Sequence, residues 1–112
     1  MDMQVTEIAQ DAVRITLIGR LDIGGAATID LPFNAAINAR RGVVVDLSEV
    51  PFLASIGIRI LVLGAKQQQR RGGTLVLLNP HPDAEKVLEM TGIIDILPIM
   101  RDEASAIAAV TA

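Results

Sequence analysis

The fold of this chain is decided by one stretch near its middle, which reads Val43-Val44-Val45-Asp46-Leu47-Ser48-Glu49-Val50-Pro51-Phe52-Leu53-Ala54-Ser55-Ile56-Gly57-Ile58-Arg59. Three β-branched residues open it without polar alternation, which predicts a central strand covered on both faces. A polar segment follows, and then a long, mostly apolar run predicts a helix from Ser55 or Ile56 to about Arg70. A serine hydroxyl is therefore expected where a strand leads into a helix, beside free backbone N–H groups. Such a position suits a modifiable contact surface better than a reaction centre.

The composition limits the classes of function. The chain has 112 residues, enough for one domain spanning 1–112 and too few for two. Its only aromatic residues are Phe33 and Phe52, so stacking platforms for single-stranded nucleic acid are lacking. The formal net charge is -3, and a phosphate backbone would meet a repulsive average field. We therefore expect no nucleic-acid partner.

The sequence also predicts a cellular compartment. Cysteine is absent, which excludes disulfides, thiolate zinc sites and cysteine nucleophiles and fits a reducing environment. The first residues lack the basic-then-apolar order of a secretion signal. The apolar run at 60–65 is far shorter than the roughly 20 residues that cross a bilayer. We expect a cytoplasmic protein without membrane insertion.

Two strands and a helix are predicted before the central stretch. Apolar residues at 13, 15 and 17 alternate with polar ones, which predicts a strand, and a short strand around 5–8 precedes it. Apolar residues at 29, 33 and 37 predict an amphipathic helix. Pro32 is best tolerated in a first turn, so this helix is expected to start near Asp30.

After the central stretch, strands and helices continue to alternate. Strands are expected at 74–78 and 94–99, the second with Asp95 facing solvent, and helices at 84–90 and after Asp102 and Glu103. Strands separated by helices pair in parallel through crossovers, so this order predicts an α/β domain.

Few residues offer catalytic chemistry. The sequence has neither a phosphate-binding loop motif nor a dinucleotide fingerprint. The only histidine, His81, lies between two prolines. A triad of Ser55, His81 and an aspartate is conceivable, but a single histidine in such a turn is more often a solvated loop residue. We expect a protein that is not an enzyme and holds neither a metal nor a cofactor.

Two aspartates lie where carboxylates often have structural roles. Asp46 follows the valine run, and we favour a carboxylate that accepts backbone N–H groups over a metal or acid–base role. Asp22 lies in a glycine-rich loop, where a partner could bind it. A simple turn role for Asp22 is about equally expected.

The helix after Ser55 carries more apolar surface than one sheet face needs. One row at helical spacing should face the sheet: Ile58, Leu61, Val62 and Ala65. A second row contains Ile56, Ile60 and Leu63, and the solvent side carries Arg59, Lys66 and Arg70. Either neighbouring helices cover the second row, or it is an exposed docking stripe flanked by Ser55 and Arg59.

Ser55 itself has two compatible interpretations. Serine is a preferred N-cap residue. A capping serine is exposed at the positive end of the helix dipole and can carry a phosphate without unfolding the helix. The phosphate would place negative charge beside the apolar row, and burying that charge against a partner costs several kcal/mol unless the partner supplies cations. Phosphorylation of Ser55 is therefore predicted to switch binding off.

Several motifs occur in a characteristic order. They are Gly19-Arg20-Leu21-Asp22, then 43–50 with Phe52, then Ser55-Ile56-Gly57, then the strand, turn and helix over 73–93. In order and spacing they resemble the STAS domain of bacterial anti-sigma factor antagonists, and the resemblance covers nearly the whole chain. It implies a mixed, mostly parallel sheet of four to five strands with about four helices, and no catalytic activity.

The resemblance also implies a partner-switching mechanism. In that family the unphosphorylated antagonist binds an anti-sigma factor serine kinase and so frees a sigma factor. The kinase phosphorylates a serine at the start of the second helix, which breaks the complex, and a phosphatase reverses the modification. The matching hydroxyl is that of Ser55. The implied partner surface comprises Leu21, Asp22, Ile23, Ser55, Ile56, Gly57, Arg59 and Ile60.

The chain departs from the family pattern at two positions. Ala54 replaces the acid that usually precedes the serine, and Ile56 replaces a hydroxyl that often follows it. STAS domains also serve as unphosphorylated subunits of lipid ABC transporters and of other signalling assemblies, which is the alternative function. A weak homodimer is a further expected association.

Overall fold

A computed structural model describes residues 1–111. Within them, five strands form one sheet in chain order: β1 (Asp2–Ala9), β2 (Ala12–Ile18), β3 (Gly42–Glu49), β4 (Thr74–Leu78) and β5 (Ile99–Met100). The helices are α1 (Ile23–Ala39), α2 (Ser55–Arg70), α3 (Pro82–Met90) and α4 (Glu103–Thr111). β1 and β2 form an antiparallel hairpin, and each later strand pairs in parallel with the strand before it. The predicted α/β architecture with a mixed, mostly parallel sheet is confirmed.

β3 is the middle strand of the sheet, and both of its faces are covered. Val43 and Val45 belong to the larger core, which also contains residues of α1, α2 and α3. Val44 belongs to a smaller core on the opposite face, together with Ala106 of α4. All three valines are fully buried, which explains why the run shows no polar alternation.

The first helix starts earlier than the sequence suggested. α1 begins at Ile23 rather than near Asp30, so Pro32 lies inside the helix. Two features make this start possible. The carboxylate of Asp22 accepts a hydrogen bond from the Gly25 N–H at 2.8 Å, which caps the helix. Pro32 is exposed, so the one backbone bond that it removes lies on the solvent side.

The edge strands also differ from expectation. β1 spans Asp2–Ala9 and is therefore longer than the strand predicted at 5–8. The strand predicted at 94–99 is replaced by turns, and β5 consists of Ile99–Met100 alone. The N–H groups of Ile96 and Leu97 both bond to the carbonyl of Ile93, at 3.0 and 2.9 Å, which closes the chain into a turn. Asp95 is consequently an exposed turn residue and not a strand residue.

A buried glutamine, which no local pattern indicates, joins the ends of α1 and α2. Gln68 is completely buried. Its side-chain amide donates to the carbonyls of Ile37 and Arg40, at 2.5 and 2.7 Å. The guanidinium of Arg71 donates to the same two carbonyls. Two carbonyls at the end of α1, those of Ile37 and of the C-cap Arg40, are thereby satisfied.

None of the helices within residues 1–111 combines the length and the hydropathy that a membrane crossing requires.

Candidate functional site

Two loops at the carboxyl edge of the sheet are hydrogen-bonded to each other. The loop before α1 contains Leu21, whose N–H donates to the carbonyl of Phe52 at 2.9 Å. The carbonyl of Leu21 accepts a hydrogen bond from the N–H of Ala54, in the loop before α2, at 3.0 Å. A short parallel bridge between Leu21 and Leu53 results. The starts of α1 and α2 are therefore held side by side.

The side chain of Leu21 packs against the start of α2. Leu21 is completely buried. A Cβ atom added at Gly57 would lie only 2.5 Å from the Cγ atom of Leu21. The helix can approach the loop this closely only because residue 57 is glycine. Leu21 and Gly57, both predicted to belong to the partner surface, are buried, so they position that surface from beneath, and their contact with a partner stays a prediction.

Asp22 is the N-cap of α1 and remains partly exposed. The hydrogen bond from the Gly25 N–H lowers the pKa of this carboxyl below its usual value, and Arg20, whose Nε lies 3.5 Å away, lowers it further. The local role that the sequence left open is therefore observed. The side chain nevertheless remains 41% exposed.

A cation–aromatic pair lies beside this cap. The guanidinium of Arg20 lies 4.3 Å from the ring centroid of Phe52, which is itself partly exposed. Arg20 thus contacts both the carboxylate of Asp22, in the loop before α1, and the ring of Phe52, in the loop before α2. These contacts add a second link between the paired loops. Sequence reasoning missed this contact because it joins residues far apart in the chain.

Ser55 is the first residue of α2 and not its N-cap. Ala54 occupies the N-cap position, with an extended backbone and no side-chain capping bond, so the expected capping role of Ser55 is wrong. The first helical donors are Gly57 and Ile58, both to the carbonyl of Ala54, at 3.0 and 3.1 Å. The N–H groups of Ser55 and Ile56 precede this ladder. Ser55 is exposed, as a modifiable residue must be.

An apolar groove lies between α1 and α2. Its volume is about 430 Å³, and it is lined by Ile23, Ala26, Ala27, Asp30, Ile56, Arg59, Ile60 and Leu63. Ile23 and Leu63 are 79% and 51% exposed, although both are large and apolar. Neighbouring helices therefore leave Ile56 and Leu63 of the second apolar row open, whereas Ile60 packs partly against the core. The exposed stripe is thus observed for two of the three residues in that row.

A second depression, of about 500 Å³, lies at the opposite end of α1, around Glu7, Asp11 and Arg40. Its charged groups are already engaged. Arg40 pairs with Glu7 at 2.6 Å, and Asp11 pairs with Arg41 at 3.1 Å. A ligand there would have to break these pairs, so the α1–α2 groove is the better candidate.

The structure gives the conceivable triad no support, since no hydrogen bond within residues 1–111 joins His81 to Ser55. The Nε2 atom of His81 lies 2.8 Å from the carbonyl oxygen of Ser48. A carbonyl can only accept a hydrogen bond, so this nitrogen carries its proton and cannot act as a base toward Ser55. Asp46 accepts the N–H of Ser48 at 2.9 Å, as favoured from the sequence. Residues 1–111 hold no cluster of three or more potential metal ligands.

Comparison with known proteins agrees with this architecture. The family model described as STAS domain matches residues 3–106. BtrV of Bordetella bronchiseptica, a candidate anti-sigma factor antagonist, is 29% identical over 109 residues, covering 96% of this chain and 94% of BtrV. The anti-sigma F factor antagonist of Paenibacillus polymyxa is 24% identical over 110 residues, with coverage of 96% and 94%. A solved anti-sigma-factor antagonist (STAS) domain protein from Planctomyces limnophilus is 26% identical, with a TM-score of 0.87 and 100% coverage of both chains.

The contact between Leu21 and α2 can be tested with Gly57→Ala. The added methyl group collides with Leu21, so the free energy of unfolding should fall by about 1–3 kcal/mol, despite a helix-propensity gain of up to about 1 kcal/mol. Urea unfolding measures the change. Gly24→Ala is the matched control, because its Cβ meets nothing closer than 3.7 Å. Combined with Leu21→Ala, Gly57→Ala should cost less than it does alone; strict additivity would contradict the contact.

The cap at Asp22 predicts a pH dependence of stability. The folded pKa is lowered, so the ionised carboxylate stabilises the fold above its unfolded pKa of about 3.9. This contribution is lost as the pH falls through the folded pKa. Asp22→Asn keeps a good capping group but does not titrate, so its urea midpoint should fall less steeply below about pH 4. Identical acid profiles for the two proteins would rule the prediction out.

Proposed function

We propose that this chain, which belongs to the STAS domain family, is an anti-sigma factor antagonist that works by partner switching. In this proposal an anti-sigma factor serine kinase docks on the α1–α2 groove, and phosphorylation of Ser55 releases it. The observation that carries the proposal is an exposed serine at the first position of α2, the helix that forms one wall of an open apolar groove.

The groove has the character of a docking surface. Ile23, Ile56 and Leu63 expose large apolar side chains in one contiguous area, and soluble domains rarely leave such areas open unless a partner covers them. The relatives that are named antagonists align along nearly the whole chain. A partner of the anti-sigma class therefore fits better than a small-molecule substrate, for which the groove offers few polar groups.

The position of Ser55 suits a reversible modification. A phosphate on its hydroxyl adds nearly two negative charges at the end of α2. A partner that covers the groove would have to desolvate these charges, which costs several kcal/mol without compensating cations. Removal of the phosphate by a phosphatase restores the uncharged hydroxyl of Ser55. In this proposal the domain acts only by binding, and the kinase and the phosphatase carry out the chemistry.

Ala54 favours a second candidate function. The acid usual in the family at this position is missing, and no side chain caps α2. A domain without a kinase would use the same groove as a permanent interface, as a constitutive subunit of a lipid ABC transporter or of another signalling assembly.

Docking on the groove predicts that Ile56→Lys and Leu63→Lys weaken binding of the anti-sigma factor kinase encoded in the same genome. Each substitution places a charge in the apolar contact area, so the Kd should rise at least about tenfold. Isothermal titration calorimetry measures it. Val87→Lys on α3 is the control, because Val87 is 38% exposed and Ile56 is 37% exposed. Equal losses in the groove variants and in Val87→Lys would argue against the groove.

Partner switching predicts phosphorylation at a single residue. Incubation with ATP and the kinase should add one phosphate to the intact mass, and Ser55→Ala should abolish the gain. Ser105→Ala is the control, because Ser105 is another exposed serine near a helix start, bonded to Asp102. The phosphorylated chain should bind the kinase at least about tenfold more weakly. If an otherwise active kinase adds no phosphate, the constitutive alternative stands instead.

A further inference from the structure

Arg59 is the cation of the groove and is not engaged elsewhere. The charged residues that line the groove are Asp30 and Arg59. Five other arginines within residues 1–111 form ion pairs with carboxylates, and Arg59 is not among them. Arg71 is used to satisfy the carbonyls at the end of α1. Arg59 is exposed, so its guanidinium is free to bind an anion.

Helix geometry directs Arg59 toward Ser55. The two residues are four positions apart on α2, which places their Cβ atoms about 5–6 Å apart on one face of the helix. Side chains of a helix lean toward its N-terminus, so a long side chain at position 59 extends back over the turn that contains residue 55. A guanidinium at that place can meet a phosphate on the Ser55 oxygen with two parallel hydrogen bonds.

The other charged groups at this edge do not compete for that role. Arg20 is occupied by Asp22 and by the ring of Phe52. Asp22 and Glu49 are acids and would repel a phosphate. Lys66 lies eleven positions after Ser55 on α2, which is about three helical turns and too far to reach it. Arg59 is therefore the residue best placed to bind a phosphate on Ser55.

We propose that Arg59 is an intrachain clamp for the phosphate of Ser55. This inference rests on the proposed function in one respect, namely that Ser55 is the residue modified. In the unmodified chain the guanidinium of Arg59 is available to a carboxylate of a docked partner. Once Ser55 is phosphorylated, the phosphate binds Arg59 within the chain, and the groove loses its cation while Asp30 remains. Modification thus adds negative charge and withdraws a favourable contact in the same step.

The clamp can be tested without any kinase. Phosphoserine is installed at position 55 of the full chain during translation, and the phosphate is titrated by phosphorus NMR. A bound guanidinium favours the dianion, so the second phosphate pKa should lie below its usual value of about 6. Arg59→Gln should raise that pKa by about 0.3 pH units or more, and Arg59→Lys should restore part of the shift, since it keeps the charge without the planar fork.

Arg70→Gln is the matched control, because Arg70 is an exposed arginine at the opposite end of the same helix. It should leave the phosphate pKa unchanged. A pKa that does not respond to Arg59→Gln, or that responds equally to Arg70→Gln, would overturn the clamp. Since the phosphate is installed during translation, this result is independent of the kinase assay. A failed kinase assay would remove the source of the phosphate without changing the measured interaction with Arg59, and a phosphate pKa that ignores Arg59 would leave phosphorylation of Ser55 standing.

Discussion

The site depends on the packing of Leu21 between two parts of the chain. Its backbone groups bond to Phe52 and Ala54, and its side chain fills the space that Gly57 leaves at the start of α2. Because one of the paired loops leads into α1 and the other into α2, this contact fixes the two helix starts relative to each other. The groove follows from that arrangement, since its walls are the two helices that these loops begin.

The division of apolar surface on α2 follows from the same geometry. Leu61 and Ala65 are buried against the sheet, whereas Ile56 and Leu63 remain in the groove with Ile23 of α1. A stable core needs only the first set, so the second set is exposed apolar area that contributes little to folding. Such area favours association, and its retention at the edge that carries Ser55 connects the packing of the domain to its proposed role.

Short-range sequence patterns were enough to predict the central strand and the second helix. The buried run Val43–Val45, the bounds of α2 and the row that faces the sheet could all be inferred, because strand burial and helix amphipathicity repeat over short distances. The start of α1 could not be inferred. Pro32 suggested that the helix begins near residue 30, whereas the cap at Asp22 starts it at Ile23. The burial of Leu21 could not be inferred either, since a loop leucine gives no periodic signal and its neighbours lie more than thirty residues away.

The position of Ser55 shows how a tertiary contact overrides a local preference, and what that means for a switch. Serine is the better capping residue, yet the bond from Ala54 to Leu21 holds Ala54 in the extended conformation of a cap. Ser55 is thereby moved into the first helical position with its hydroxyl outside the cap. Because Leu21 packs directly against Gly57, α2 cannot move closer to the loop that contains Leu21. Under the proposed function, a phosphate on Ser55 would therefore act on the partner that covers this end of the groove, through a charge whose reach is limited by salt screening.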